Sequence, residues 1–210
     1  MKTISFASVL IVFSFNVFAQ VKTKKKVINT NISYSEKFYV LDTNKNIRHG
    51  EYFKISNDNS VLENGYYEFG EKVRNWRFFA GNTLFLTYNF DTKKVIDYNK
   101  NFEDSVIVKV DNKYLKIFPD RPLMPIASFL EIYSLIVYNK ALSPILFDKE
   151  YMHNILIFVD KEGHFLESKL NIPEKNETST IKIEGIENID WIPPMIGNQT
   201  FDSIYVLKLK

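Results

Sequence analysis

The chain has 210 residues, 45% of them hydrophobic and 15% aromatic, enough apolar material for one large core or two small ones. Its 27 basic and 25 acidic residues leave a net charge of only +2, which argues against nucleic acid as a partner. The absence of cysteine excludes a disulfide framework, a thiol nucleophile, thiolate metal sites and a cysteine-borne lipid anchor.

Lys2, the apolar run Ile4–Phe18 and the small-residue site Val17-Phe18-Ala19 read as a secretory signal cut before Gln20. Residues 1–19 are therefore expected to direct Sec export and to be removed, leaving 191 residues (210 − 19) in the periplasm or outside the cell. The run falls short of the roughly 20 apolar residues that a membrane span needs, so no transmembrane segment is expected. Residues 20–37, with Lys22-Thr23-Lys24-Lys25-Lys26, read as a flexible basic lead-in.

From residue 38 to 119 short β-type runs alternate with turn chemistry: Asn57-Asp58-Asn59, Gly70-Glu71, Gly81-Asn82, Asp91-Thr92-Lys93 and Asp111-Asn112. No long helical period intervenes, and the spacing predicts an antiparallel β-meander. Gly50-Glu51-Tyr52 recurs fifteen residues later as Gly65-Tyr66-Tyr67, and Arg74-Asn75-Trp76 is a third instance with arginine in the glycine position. Over residues 47–98 this pattern resembles the MORN-like repeats of bacterial envelope proteins and of the YwqK-type antitoxin family. The resemblance implies glycine-containing hairpins, with Gly50 and Gly65 as structural positions, whose aromatics share one face.

Asp120-Arg121-Pro122-Leu123-Met124-Pro125 interrupts the strand pattern. Ile126, Phe129, Leu130, Tyr133, Ile136 and Val137 then recur at helical spacing, with Pro125 in the first turn and Ser143-Pro144 at the end. Ile155–Val159 is a continuous apolar strand, and Asp160-Lys161-Glu162-Gly163 turns it into a hairpin with Gly163 left-handed. Ile183, Ile186 and Ile189 suggest a short second helix running into Trp191, Pro193 and Pro194. The chain then ends on the β-rich run Phe201–Lys210.

In order and spacing, residues 120–210 resemble the TonB C-terminal domain family, through V-D-K-E-G-H-F, W-x-P-P and the final strand. The resemblance implies an α+β fold: a MORN-like meander (38–119), then a TonB-like domain with two helices on a three-stranded antiparallel sheet (120–210). It implies no catalysis and a terminal edge strand to which a partner peptide adds, along Ser203, Tyr205 and Leu207. Trp191 is expected to be buried against the helix centred on Tyr133. The partner would be a protein of the cell envelope, such as a segment of an outer-membrane protein.

No catalytic, cofactor-binding or metal-ligating pattern stands out. His49, His153 and His164 lie far apart and read as surface-loop residues, and no H-E-x-x-H, Walker or G-x-S-x-G motif occurs. The leading reading is a non-catalytic interaction protein of the envelope. The alternative is a peptide or ligand binder that uses the aromatic face of Tyr52, Tyr67 and Trp76.

Overall fold

A computed structural model describes residues 21–29, 34–100, 106–139, 142 and 151–209. The signal segment, the helix stop at Ser143-Pro144 and Lys210 lie outside the described residues.

Seven consecutive strands build the first sheet: β1 (Thr23–Asn29), β2 (Tyr34–Leu41), β3 (Arg48–Ser56), β4 (Val61–Glu68), β5 (Glu71–Ala80), β6 (Thr83–Asn89) and β7 (Lys94–Tyr98). Each pairs antiparallel with its neighbour in sequence. The joints are local: Asn59 takes φ 67° at the β3–β4 turn, where the Asp58 carboxylate accepts from the Ser56 hydroxyl and the Ser60 N–H. One face is aromatic. Phe38, Tyr52, Tyr67, Trp76 and Phe78 are all buried, with Trp76 5.2 Å from Tyr52 and 5.1 Å from Tyr67 between ring centres. Such pairs contribute about 0.5–1.5 kcal/mol each beyond the area they bury.

Trp76 lies flat against β4 because Gly65 has no side chain. A Cβ on Gly65 would stand 2.3 Å from the Trp76 ring. The indole N–H donates to the Tyr66 carbonyl at 3.2 Å, so this buried ring has its polar group satisfied.

The second sheet is assembled from distant parts of the chain. It contains β8 (Val106–Val110), β9 (Lys113–Ile117), β11 (His153–Val159), β12 (Phe165–Ile172), β13 (Glu177–Ile181) and β17 (Ser203–Leu209), in the order β13-β12-β11-β17-β8-β9. One α-helix among the described residues, α1 (Phe129–Val137), packs Ile132 and Ile136 onto Val108, Ile155, Ile157 and Trp191. Two short bridges complete the molecule: β10 (Met124–Pro125) with β14 (Trp191–Ile192), and β15 (Met195–Ile196) with β16 (Gln199–Thr200). Met124, Ile126 and Ile192 close the aromatic face of the first sheet.

These observations correct the expected α+β fold with its two helices on a three-stranded sheet. Over the described residues the structure is 59% strand and 9% helical, with one α-helix and several sheets. Pro125 does not open the helix: it pairs with Trp191, and Ser128 caps α1 by accepting from the Glu131 N–H. Tyr133 points to solvent, not to Trp191. Instead of a second helix, Ile186–Asn188 forms one 3-10 turn, because Gly185 is left-handed (φ 89°) and β-branched isoleucines propagate a helix poorly. The lead-in holds β1, and β8 and β9 join the second sheet rather than the first half.

Gly65→Ala should therefore be costly for a one-carbon change. We expect a loss of about 1–3 kcal/mol or more, from overpacking against Trp76. Urea unfolding of the variant checks it; a midpoint unchanged from wild type would mean that the ring shifts freely.

Candidate partner-binding edge

Two groups of residues could carry function: a buried polar chain on the first sheet and the free edges of the strands.

The polar chain runs across β2, β3 and β4 to α1. Arg48 donates to Glu36 at 2.8 Å and to the Tyr67 hydroxyl at 3.0 Å. The Tyr52 hydroxyl lies 3.1 Å from Glu36 and 3.2 Å from Glu63. Lys54, buried, pairs with Glu63 at 2.9 Å and with Glu131 of the helix at 2.8 Å. None of these side chains is among the buried polar atoms left without a partner. Every member is committed to another member, so the arrangement braces the sheet against the helix and presents nothing to a substrate.

Burial, reinforced by Glu63 and Glu36, holds the Tyr52 phenol far above the ordinary tyrosine range. Burial works against the Lys54 charge, but Glu63 and Glu131 outweigh it and lift the ammonium above the usual lysine value.

The residues singled out from sequence are dispersed. Tyr52, Tyr67 and Trp76 are core, which removes them as an exposed platform. Gly50 sits in β3 opposite Tyr67. Gly163 is left-handed (φ 94°), and a Cβ there would meet the Trp191 carbonyl at 2.2 Å. Trp191 is buried at 4% exposure, beside Tyr205 at 5.2 Å, and Pro193 offers its carbonyl to Arg121 at 3.2 Å. His153, expected on a surface loop, is buried at the start of β11.

The proposed edge strand is interior at its start, where Ser203 and Ile204 pair on both sides, and pairs with β11 alone from Tyr205 onward. β17 lies between β11 and β8; Ser203 pairs with Val159 on one side and Val108 on the other, while Tyr205 and Leu207 pair with Ile157 and Ile155. Ser203, Tyr205 and Leu207 turn their side chains to the core, where Tyr205 and Leu207 pack against its apolar cluster.

The outermost strands are β1 and β7 of the first sheet, and β13 and β9 of the second. β1 carries Lys24, Lys25 and Lys26, a row that discourages pairing. β13 is Glu177-Thr178-Ser179-Thr180-Ile181, polar and exposed over four of its five residues. β7 is five residues long with one exposed large apolar side chain, Ile96. β9 differs: Tyr114 and Leu115 are 50% and 46% exposed, and Phe118 just beyond it is 83% exposed.

The geometry of β9 follows from its turn. Asp111 and Asn112 both take left-handed φ (47° and 62°), closing a two-residue hairpin with Val110 opposite Lys113. Alternation then places Leu115 and Ile117 in the ladder with β8. It turns the backbone N–H and C=O of Tyr114 and Lys116 outward. No backbone hydrogen bond reaches that side from the described residues. Composition alone could have flagged Tyr114-Leu115-Lys116-Ile117-Phe118 as apolar, but not that it would close a sheet.

No protein-family model matches the chain, and no curated protein or solved structure is found similar to it.

Two outcomes follow. Proline at Tyr205 should break the second sheet itself, costing about 3 kcal/mol or more, because Tyr205 pairs with Ile157 in the ladder to β11; circular dichroism showing an intact, equally stable fold would contradict that pairing. The raised values of Tyr52 and Lys54 mean that both keep their protons in the fold after the unfolded chain has released them, near pH 10 to about 10.5. Their contributions are whole below that range and are lost progressively as pH climbs from it toward the raised folded values. Melting temperature should hold to about pH 9 and then fall, and Tyr52→Phe should fall less steeply.

Proposed function

We propose that the chain is an exported, non-catalytic interaction protein of the cell envelope that holds an extended segment of a protein partner along β9. The observation that carries this reading is the outward edge of β9, where unpaired backbone groups lie beside the exposed Tyr114, Leu115 and Phe118; β1 also exposes Val27 and Ile28, with Val21 just before it, but carries three consecutive lysines. Strand addition supplies affinity through main-chain hydrogen bonds, and the alternating side chains supply selectivity. Lys113 and Lys116 lie on the same strand, with Lys109 opposite Tyr114, so a segment bearing acidic residues between apolar ones fits best. Pairing of Ser203, Tyr205 and Leu207 with β11 moves the binding role away from them. No helix among the described residues is long and apolar enough to cross a membrane.

Lys116→Pro tests the reading, because it removes an outward donor without touching the ladder to β8. A photo-reactive residue at Tyr114 should capture a partner in envelope extracts, and one at Thr180 on β13 should not. The capture should vanish in Lys116→Pro while circular dichroism stays unchanged. Equal yields at both edges, or capture that survives the proline, would sink strand addition at β9.

A further inference from the structure

The outer face of the first sheet, opposite the aromatic core, holds an open trough of about 510 Å3. That volume is within the roughly 300–1,000 Å3 of small-molecule sites. Its floor is a set of cross-strand rows. Glu51 lies directly opposite Tyr66, and Phe53, Asn64 and Arg77 stand side by side on β3, β4 and β5. Asn75 faces Asn89, the two amides joined at 2.7 Å, and Asp91 closes the end. A register shift near Gly65 coincides with Arg74 in the left-handed region (φ 61°), and its guanidinium lies 4.4 Å from the centre of the Tyr66 ring.

Two features of this trough bear on what it could hold. Glu51, Asn64, Arg74, Arg77 and Asp91 make no side-chain hydrogen bond or ion pair among the described residues, although cations and anions share one concavity. And Arg74 occupies a backbone conformation that costs a side-chain-bearing residue energy, at the place where the repeat pattern has glycine twice.

We propose that this trough is a saccharide-binding site. The two guanidiniums balance the two carboxylates, so neither an anion nor a cation gains net attraction there. A sugar hydroxyl donates and accepts at once, and it can use carboxylate, amide and guanidinium groups together. Phe53 supplies apolar surface for the C–H face of a pyranose, beside the Tyr66 ring that Arg74 covers. The sheet beneath is braced by the buried aromatic layer, which fixes the backbone positions from which these side chains project. The site is separate from β9 and does not rest on the role given to that strand.

Calorimetric titration of the purified protein with cellotetraose, chitotetraose and tetragalacturonate tests it, with neutral, N-acetylated and acidic rings as the three arms. At least one should bind with Kd below about 1 mM. Asn64→Ala and Arg77→Ala should each weaken it about tenfold or more without lowering Tm. Arg74→Gly should weaken binding while holding or raising Tm, since glycine is at ease in that conformation. Lys116→Pro should bind as wild type, which separates this site from the β9 edge. Absence of binding to all three probes overturns the proposal, as does unchanged affinity in both Asn64→Ala and Arg77→Ala.

Discussion

Lys54 stands on the inner face of β3 with its ammonium 2.9 Å from Glu63 and 2.8 Å from Glu131, and that placement ties the first sheet to α1. A charge this deeply buried is tolerable only when it is fully paired, since an unpaired one costs several kcal/mol. Glu63 belongs to β4 and Glu131 to the first turn of α1. The first sheet and the helix must therefore meet in one register for the ammonium to reach both carboxylates. Tyr34 adds its ring 4.9 Å from the same nitrogen. An apolar patch would hold the same surfaces together with less demand on orientation; the ion triad selects one orientation.

Around that joint, the local features were legible and the long-range ones were not. Turn residues announced themselves: Asn59, Asp111, Asn112 and Gly163 all take positive φ, as their chemistry invites. Burial of Trp191 also follows from its size and from the prolines that hold its loop. The helical period from Ile126 was real but started late, because Met124-Pro125 was recruited to bridge Trp191-Ile192 and Ser128 then capped the remainder. Tertiary pairing overrode a local pattern, and with it went the orientation of Tyr133. The basic stretch before residue 37 looked unfit for a strand, yet Thr23–Asn29 pairs along its whole length with Ser35–Leu41. One ion pair, Lys24 with Asp42, helps that edge, and its lysines suit a strand that must not recruit neighbours.

The largest error concerned partners in space. A hairpin at residues 106–117 is most simply placed beside the hairpins before it, since sequential strands usually neighbour one another. Here it pairs with β17 at the far end of the chain, through Ser203↔Val108 and Ile204↔Ile107. No residue in either strand encodes that choice by itself; it follows from both strands having core faces, Val106 and Val108 on one, Ser203 and Leu209 on the other. The candidate sites were lost by the same route. Tyr52, Tyr67 and Trp76 are aromatic in sequence whichever face they take, and period-2 alternation cannot say which face is covered.

That short junction shapes what β9 can do. The β8–β9 hairpin shares two register pairs with β17, whereas β11 shares seven with it. What anchors the hairpin is the buried row of Val106 and Val108 in the second core. The strand itself projects past that anchor, with Tyr114 leaning on Phe158 at 6.1 Å and Leu115 and Phe118 in solvent. A strand laid along β9 would extend the ladder from the weakly tied side of the sheet and cover those side chains. The ordering cost would fall on the hairpin and the incoming segment alone, not on the core behind them. A partner laid on such an edge would ask no change of the Lys54 joint, whose three members belong to β3, β4 and α1.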